Sequence, residues 1–365
     1  MQLNLLSIFH LRNLEAVELA LNPHFNIFWG ENGGGKTSLL EAIYLLGTGR
    51  SFRVTQTPQI ISFGKDACQV SGLVAARDLK SGLSPIRMGV ERLQSGGINI
   101  RLGEKDGSSI AQLAQTLPLQ LINSESYAIL EASPERRREF MDWILFHVEP
   151  SFYPAWQRFK RALQQRNAAL KGAKSVPAAN IRAWDRELIE TGERIATQRR
   201  AILTELKPLF LEALQGLLEL QGEVLVEYES GYESELSLEE ALDRAFSRDM
   251  AWGYTTVGPQ RADLKFLVSG VLAKNLLSRG QLKLFICALL MARANLLYLR
   301  QQRRCVFLID DLCSELDARA SGLLLEALFV LGGQVLVTCI DNTVVNRVLA
   351  DKEHAMFGVK AGVVG

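Results

Sequence analysis

The chain has 365 residues, 48% apolar and 22% charged, with a net charge of +1, the balance of an ordinary globular protein able to build one large domain or two to three small ones. No apolar run approaches the roughly 18 residues that span a bilayer, and Met1-Gln2-Leu3-Asn4-Leu5-Leu6 lacks the basic start and cleavage site of a secretion signal. The cysteines (Cys68, Cys287, Cys305, Cys313 and Cys339) are odd in number and lack CxxC spacing, which argues against a zinc site or disulfide framework and for a reducing compartment, the cytosol.

Alternation at residues 3–9 and 17–21 predicts two half-buried strands. Residues 25–29 are apolar enough for a buried strand, and residues 38–46 read as a helix. Between them lies Gly30-Glu31-Asn32-Gly33-Gly34-Gly35-Lys36-Thr37, a match to the phosphate-binding loop G-x-x-x-x-G-K-[ST] in the context that motif requires. Glycines allow close backbone approach, and a helix N-terminus aims free amides and positive dipole at an anion. Residues 30–37 and Ser38 are therefore candidate nucleotide ligands. Lys36 is suited to the β- and γ-phosphates, and the Thr37 hydroxyl to Mg²⁺.

Shorter strands are expected at 67–75, 86–93 and 98–102, separated by glycine-bearing turns at Lys80-Ser81-Gly82 and Ser95-Gly96-Gly97. A short helix at 110–117 and a strand at 119–122 follow. Ser133-Pro134-Glu135 has the composition of a helix start, continuing from Arg136 to His147 until Pro150 and Pro154 end it. Trp156, Phe159, Leu163 and Leu170, then Trp184, Leu188, Thr191, Ile195, Ile202 and Leu206, trace two helical stripes either side of a turn at 172–177. That is an antiparallel hairpin, about 30 Å long for about 20 residues per helix. A strand at 224–228 and a helix at 236–250 complete this region. After Gly258 come an alternating strand at 264–268, a long helix at 281–299, a continuous apolar strand at 306–309, a helix at 321–331 and a buried strand at 334–339.

Two further motifs carry chemistry. Val306-Phe307-Leu308-Ile309-Asp310-Asp311 has the form of a Walker B strand, with Asp310 on Mg²⁺ and Asp311 placed to orient or deprotonate water. Leu277-Ser278-Arg279-Gly280-Gln281 opens the long helix and reads by itself as a helix cap. The order P-loop, SxGQ, Walker B, then Ser314-Glu315-Leu316-Asp317, is similar to that of ABC-type ATPases. In that architecture the SxGQ helix tip, here Ser278, Gly280 and Gln281, meets the γ-phosphate held by a second copy, so ATP implies a homodimer.

Several blocks together resemble the RecF family across the whole chain. They are Phe9-His10-Leu11-Arg12-Asn13, Gly49-Arg50-Ser51-Phe52-Arg53, Glu135-Arg136-Arg137-Arg138, Gly258-Pro259-Gln260-Arg261-Ala262-Asp263-Leu264, and the signature and Walker B segments. The resemblance implies an α/β fold: an ABC-type ATPase head (a P-loop NTPase) interrupted by an inserted helical lobe with an antiparallel helix hairpin. The expected parts are 1–130 and 256–365 for the head and 131–255 for the lobe. It implies ATP and Mg²⁺ as cofactors, and DNA at single-strand/double-strand junctions as ligand. RecR, with RecO, and indirectly RecA, are the implied partners, in the cytoplasm and without a membrane. It also implies that Arg12 and Asn13 lie near the nucleotide and that Asp317 belongs to the nucleotide interface.

The sequence departs from the family pattern at Gln260, where His is commonest. No switch histidine follows Thr338-Cys339-Ile340-Asp341, and Asp311 stands where many ABC ATPases have Glu. Slow hydrolysis is the expectation. From Arg136 to Lys207 there are 15 Lys or Arg against 8 Asp or Glu, whereas Pro208 to Asp243 has ten acids and no base. A basic lobe facing a polyanion fits this. Arg50, Arg53, Arg136, Arg137, Arg138, Arg158, Lys160, Arg161 and Arg166 are candidate phosphate contacts. The competing reading pairs them with Glu187, Glu190 or Glu193 on solvated helix faces. Trp143, Trp156, Trp184 and Trp252 are candidates for base stacking, although Trp156 and Trp184 lie on apolar stripes. The alternatives are an ATPase subunit of a membrane transporter and a short SMC- or Rad50-like chromosome protein. The basic insertion counts against the first and its modest length against the second.

Overall fold

The computed structural model describes residues 1–78, 82–172, 177–312 and 316–365. Lys80 and Ser81 of the first expected turn, most of the turn at 172–177, and Cys313-Ser314-Glu315 lie outside the described residues. The chain divides into two compact units, one of residues 1–126, 213–219 and 279–365, the other of residues 127–212 and 220–278.

The first unit is built on two sheets. An antiparallel sheet carries the strands Leu14–Ala20, Gln2–Leu11, Ala67–Asp78, Gly82–Leu93, Ile98–Leu102 and Lys105–Asp106, in that order. The second sheet runs Val363–Val364, His354–Lys360, Phe25–Trp29, Gln334–Cys339, Val306–Ile309 and Leu119–Ile122. All its pairings are parallel except that of Val363–Val364. Every residue of Val306–Ile309 and of Gln334–Cys339 is buried. Strands covered on both faces need apolar side chains on both, hence the unbroken runs. The helix Lys36–Thr48 buries Leu39, Leu40, Ile43, Leu45 and Leu46 completely. It shares one core with Leu3, Leu6 and Ile8 of the antiparallel sheet and Leu308 and Leu336 of the parallel one. A helix gripped from several sides has little freedom to tilt, which fixes its N-terminus.

The helix Arg279–Gln301, interrupted by Lys283 and Arg293, is long and apolar enough to cross a membrane, and most of it is buried inside the protein. It is a core helix. Cys68, Cys287, Cys305 and Cys339 are free and buried. Burial pushes the thiols of Cys68 and Cys305 up to about 11 and that of Cys287 up to about 12, so these three are inert core residues.

The second unit holds the helices Pro134–Val148, Phe152–Lys171, Asp185–Leu217 (to residue 212) and Leu238–Trp252. It also has a small antiparallel sheet of Val224–Glu229, Asp263–Val268 and Val271–Leu272. Pro154, expected to break a helix, sits instead in the first turn of Phe152–Lys171, where a missing N–H has no helical acceptor to lose. Cross-links from Ser151 to Gln198, Arg158 to Glu187 and Arg166 to Asp185 show the next long helix running antiparallel to it. The unit's last boundary falls at Ser278 and not at 255, because Asp263–Val268 pairs along its length with Val224–Glu229.

A buried ion cluster organises this unit. Arg166 is fully buried and donates from Nε to Asp185 and from Nη1 to Asp249 at 2.7 Å each, and to the Thr255 hydroxyl at 2.8 Å. Asp249, also fully buried, accepts from the amide and hydroxyl of Thr256. Loss of burial compensation drives the expected outcome of Asp249→Ala: about 3–5 kcal/mol of stability lost. Chemical denaturation followed by circular dichroism checks this, and an unchanged midpoint would show the cluster to be dispensable.

Candidate nucleotide site

The phosphate loop leaves the strand Phe25–Trp29 and turns into the helix Lys36–Thr48, whose N-terminus no side chain caps. Its first amides are thus free for an anion. Gly30, Gly33 and Gly35 have φ of +144°, +79° and +114°, a region that favours glycine. The glycines also answer to a packing constraint. A Cβ at Gly30 would stand 2.3 Å from the Val359 carbonyl oxygen, and one at Gly34 2.8 Å from it. Val359 belongs to His354–Lys360, a strand the sequence reading missed, paired beside Phe25–Trp29. Lys36 folds back across the loop, its Nζ donating to the carbonyls of Gly30 at 2.7 Å and Glu31 at 2.8 Å.

Thr37 and Asp310 come together as the two motifs require. The Thr37 hydroxyl donates to Asp310 Oδ1 at 2.9 Å. The same oxygen accepts from the Thr338 hydroxyl at 2.8 Å, and Thr338 Oγ1 in turn accepts the Asp311 amide at 2.8 Å. Thr338 is thereby a member of the site that no sequence motif marks. Asp311 is exposed and has φ +55°, a left-handed conformation that aspartate adopts more readily than most residues.

Asn13 and Arg12 sit differently. Asn13 Nδ2 donates to Gly34 O at 3.3 Å, and its Oδ1 accepts from Ser38 Oγ at 3.2 Å, so it braces loop and helix together. Arg12 faces Glu41, donating from Nε and Nη2 to the two carboxylate oxygens at 2.9 and 2.8 Å. Glu41 is fully buried and also accepts from Ser51 Oγ, with Arg53 Nη1 at 3.8 Å. Glu41 too was missed; its signal was a lone acid inside an apolar helical run.

The remaining candidates are dispersed. Ser278 is exposed, and Gly280 and Gln281 are half-buried in the first turn of Arg279–Gln301. Asp317 caps the helix Ala318–Leu331 by accepting from the Ala320 amide at 2.7 Å. Arg50 is exposed. Arg136 pairs with Glu139 on its own helix. Arg137 is bidentate to Asp263, and Arg138 donates to Ala262 O. Arg158 pairs with Glu187 and Glu190. Lys160 lies over Trp156, and Arg161 is exposed. Trp143, Trp156 and Trp184 are half-buried, whereas Trp252 is exposed.

The family model described as the RecF/RecN/SMC N-terminal domain matches residues 2–364. A DNA replication and repair protein RecF from Pseudomonas paraeruginosa is 42% identical over 365 residues, covering 100% of this chain and 97% of its own. The chain belongs to the RecF family.

Solved structures agree on the fold. A recombination mediator protein RecF with ATP, of the RecFOR pathway, superposes with a TM-score of 0.86 at 24% identity, covering 100% of this chain and 97% of its own. An Smc head bound to the C-terminal winged-helix domain of ScpA superposes at 0.58 and 14% identity, covering 100% and 97%. The fold is therefore α/β, that of an ABC-type ATPase head. In this RecF-family chain the Phe9–Asn13 block ends at the brace on the phosphate loop.

Thr338 is almost fully buried. Thr338→Val removes a donor and an acceptor while keeping shape, so an expected loss of about 1–3 kcal/mol follows from the unpaired groups left behind. Thermal unfolding measures it; a variant as stable as the parent would remove Thr338 from the site's framework.

Proposed function

We propose that this RecF-family chain is an ATP-dependent DNA-binding protein of recombinational repair. The observation that carries the reading is the Thr37–Asp310 contact beside an uncapped helix N-terminus. A hydroxyl and a carboxylate at that spacing form an oxygen donor pair suited to Mg²⁺, and the loop's free amides suit a polyphosphate. The names of the relatives, a DNA replication and repair protein and a RecF with ATP, support the same assignment.

Glycines 30, 33, 34 and 35, with Glu31, Asn32, Lys36, Thr37 and Ser38, would hold the phosphates, Lys36 exchanging two backbone carbonyls for phosphate oxygens. Thr37 and Asp310 would hold Mg²⁺, which neutralises phosphate charge when bound. Thr338 keeps the Asp310 carboxylate oriented. Asp311 is the acid placed to orient water, on an arm shorter than glutamate, so turnover is slow and ATP serves as a clamp. Ser278, Gly280 and Gln281 start a helix whose positive end would cap the γ-phosphate held by a second copy, making the homodimer ATP-dependent. Asn13 acts by bracing the loop, Arg12 by fixing Glu41 on the loop's helix, and Asp317 by capping the helix after the Walker B segment.

The dimer would bind DNA at single-strand/double-strand junctions in the cytoplasm and, with RecR and RecO, assist RecA. Arg50, Lys160 and Arg161 are the available phosphate contacts among the candidates, whereas Arg53 lies against the Glu41 carboxylate. Arg137, Arg138 and Arg166 are engaged internally.

Lys36→Ala is expected to abolish ATP binding and with it ATP-induced dimerisation in analytical ultracentrifugation; a persisting ATP-dependent dimer refutes the assignment. Ser278→Arg is expected to leave ATP binding by the monomer within about twofold, measured with a fluorescent ATP analogue, while blocking the dimer through charge and bulk at the helix tip. Unaltered dimerisation would exclude Ser278 from the interface.

A further inference from the structure

The helix Leu238–Trp252 ends in an arrangement that the nucleotide site does not use. Trp252 is 59% exposed and Tyr254 37% exposed, with ring centroids 5.9 Å apart and planes inclined by 42°. Each therefore leaves more than a third of its surface in water. Each ring carries a guanidinium: Arg248 lies 5.9 Å from the Trp252 centroid and Arg261 5.1 Å from that of Tyr254.

The base beneath them is rigid. Gly253, in the left-handed conformation, closes the helix with its amide on Asp249 O. Thr255 and Thr256 tie the following turn to Arg166, Asn167 and the buried Asp249 carboxylate. Arg248 Nε donates to Thr256 Oγ1 at 3.0 Å. Rings mounted this way lose little freedom on binding.

Arg248 and Arg261 are exposed, and among the described residues neither is in an ion pair. Exposed Lys171 runs beside Gly253. On exposed helix faces of the same unit Arg158, Arg182 and Arg244 pair with acids, whereas Arg161, Arg186 and Arg194 do not among the described residues; only Arg248 and Arg261 lie over the exposed rings of Trp252 and Tyr254. Two inclined π-faces flanked by unpaired guanidinium groups suit a chain that alternates flat bases with phosphates. A paired duplex cannot offer its base faces, since they are stacked inside it.

We propose that Trp252 and Tyr254 form a stacking platform for two successive unpaired nucleobases, with Arg248 and Arg261 on the adjoining phosphates. This rests on the DNA-binding reading above and specifies the part of a junction that the second unit recognises: its single strand.

The test uses the full chain with ATP and two labelled DNAs, a blunt duplex and the same duplex with a single-stranded thymidine tail, read by fluorescence anisotropy. The parent protein is expected to prefer the tailed DNA. Trp252→Ala with Tyr254→Ala should lower affinity for the tailed DNA by about tenfold or more and leave the blunt duplex unchanged. Trp252→Phe with Tyr254→Phe should retain the preference. Arg248→Ala with Arg261→Ala should flatten the salt dependence of tail binding by about 0.7 per arginine. Equal loss on both DNAs, no loss on either, or a parent that binds blunt duplex but gains nothing from a tail would overturn the platform alone. A parent that binds neither DNA with ATP would overturn the DNA-binding reading and the platform with it. Retained DNA binding with loss of a protein partner in the alanine variant would make the surface a protein-docking face and likewise overturn the proposal.

Discussion

One carboxylate oxygen holds the head's working end together. Asp310 Oδ1 accepts hydroxyl hydrogens from Thr37, at the start of the loop's helix, and from Thr338, at the end of the neighbouring parallel strand. The loop, the Walker B strand and the strand after it are thereby joined by side chains, beside the backbone bonds from the Leu312 amide to Thr338 O and from the Asp310 amide to Ile122 O. Parallel sheets in α/β folds present their ligands at the carboxyl ends of the strands, and side chains there add to the few backbone bonds that link one strand end to the next. Thr338 adds a second bond, to the Asp311 amide, so the turn that carries both acids is shaped from the adjacent strand.

The second unit uses charge for construction. Arg166 with Asp185 and Asp249, Arg199 with Asp142, and Arg137 with Asp263 link segments distant in sequence. Buried or partly buried pairs of this kind contribute specificity of arrangement more than net stability. The positive excess between Arg136 and Lys207 is therefore only partly available to a polyanion. What reaches solvent unpaired is a smaller set, and it includes Arg248 and Arg261, beyond the basic stretch that composition singles out.

Much of this was legible in the chain because the responsible patterns are local. The glycine loop between an apolar strand and an apolar helix, the apolar run ending in two acids, and the two amphipathic stripes each depend on neighbours in sequence. The parts that escaped depend on partners far away. His354–Lys360 is a strand because Phe25–Trp29 lies beside it, not because its own alternation is strong. Glu41 tolerates complete burial because Arg12 and Ser51, from other segments, satisfy it. Asp263–Val268 was recognised as a strand, but its allegiance to the helical lobe follows from pairing with Val224–Glu229. Arginine counts could not separate structural cations from free ones, since the difference lies in which carboxylate folds opposite each.

The carbonyl of Val359 sits where the side chains of Gly30 and Gly34 would be. Selection for folding and selection for chemistry thus act on the same two positions, whereas Gly33, with open space around its α-carbon, answers to backbone conformation alone. A stop codon between residues 340 and 359 would leave the glycine loop, the Walker B segment and Thr338 in the translated product and still strip away the strand that walls one side of the loop. Alleles truncated near their 3′ end should accordingly be scored as lesions of the nucleotide site.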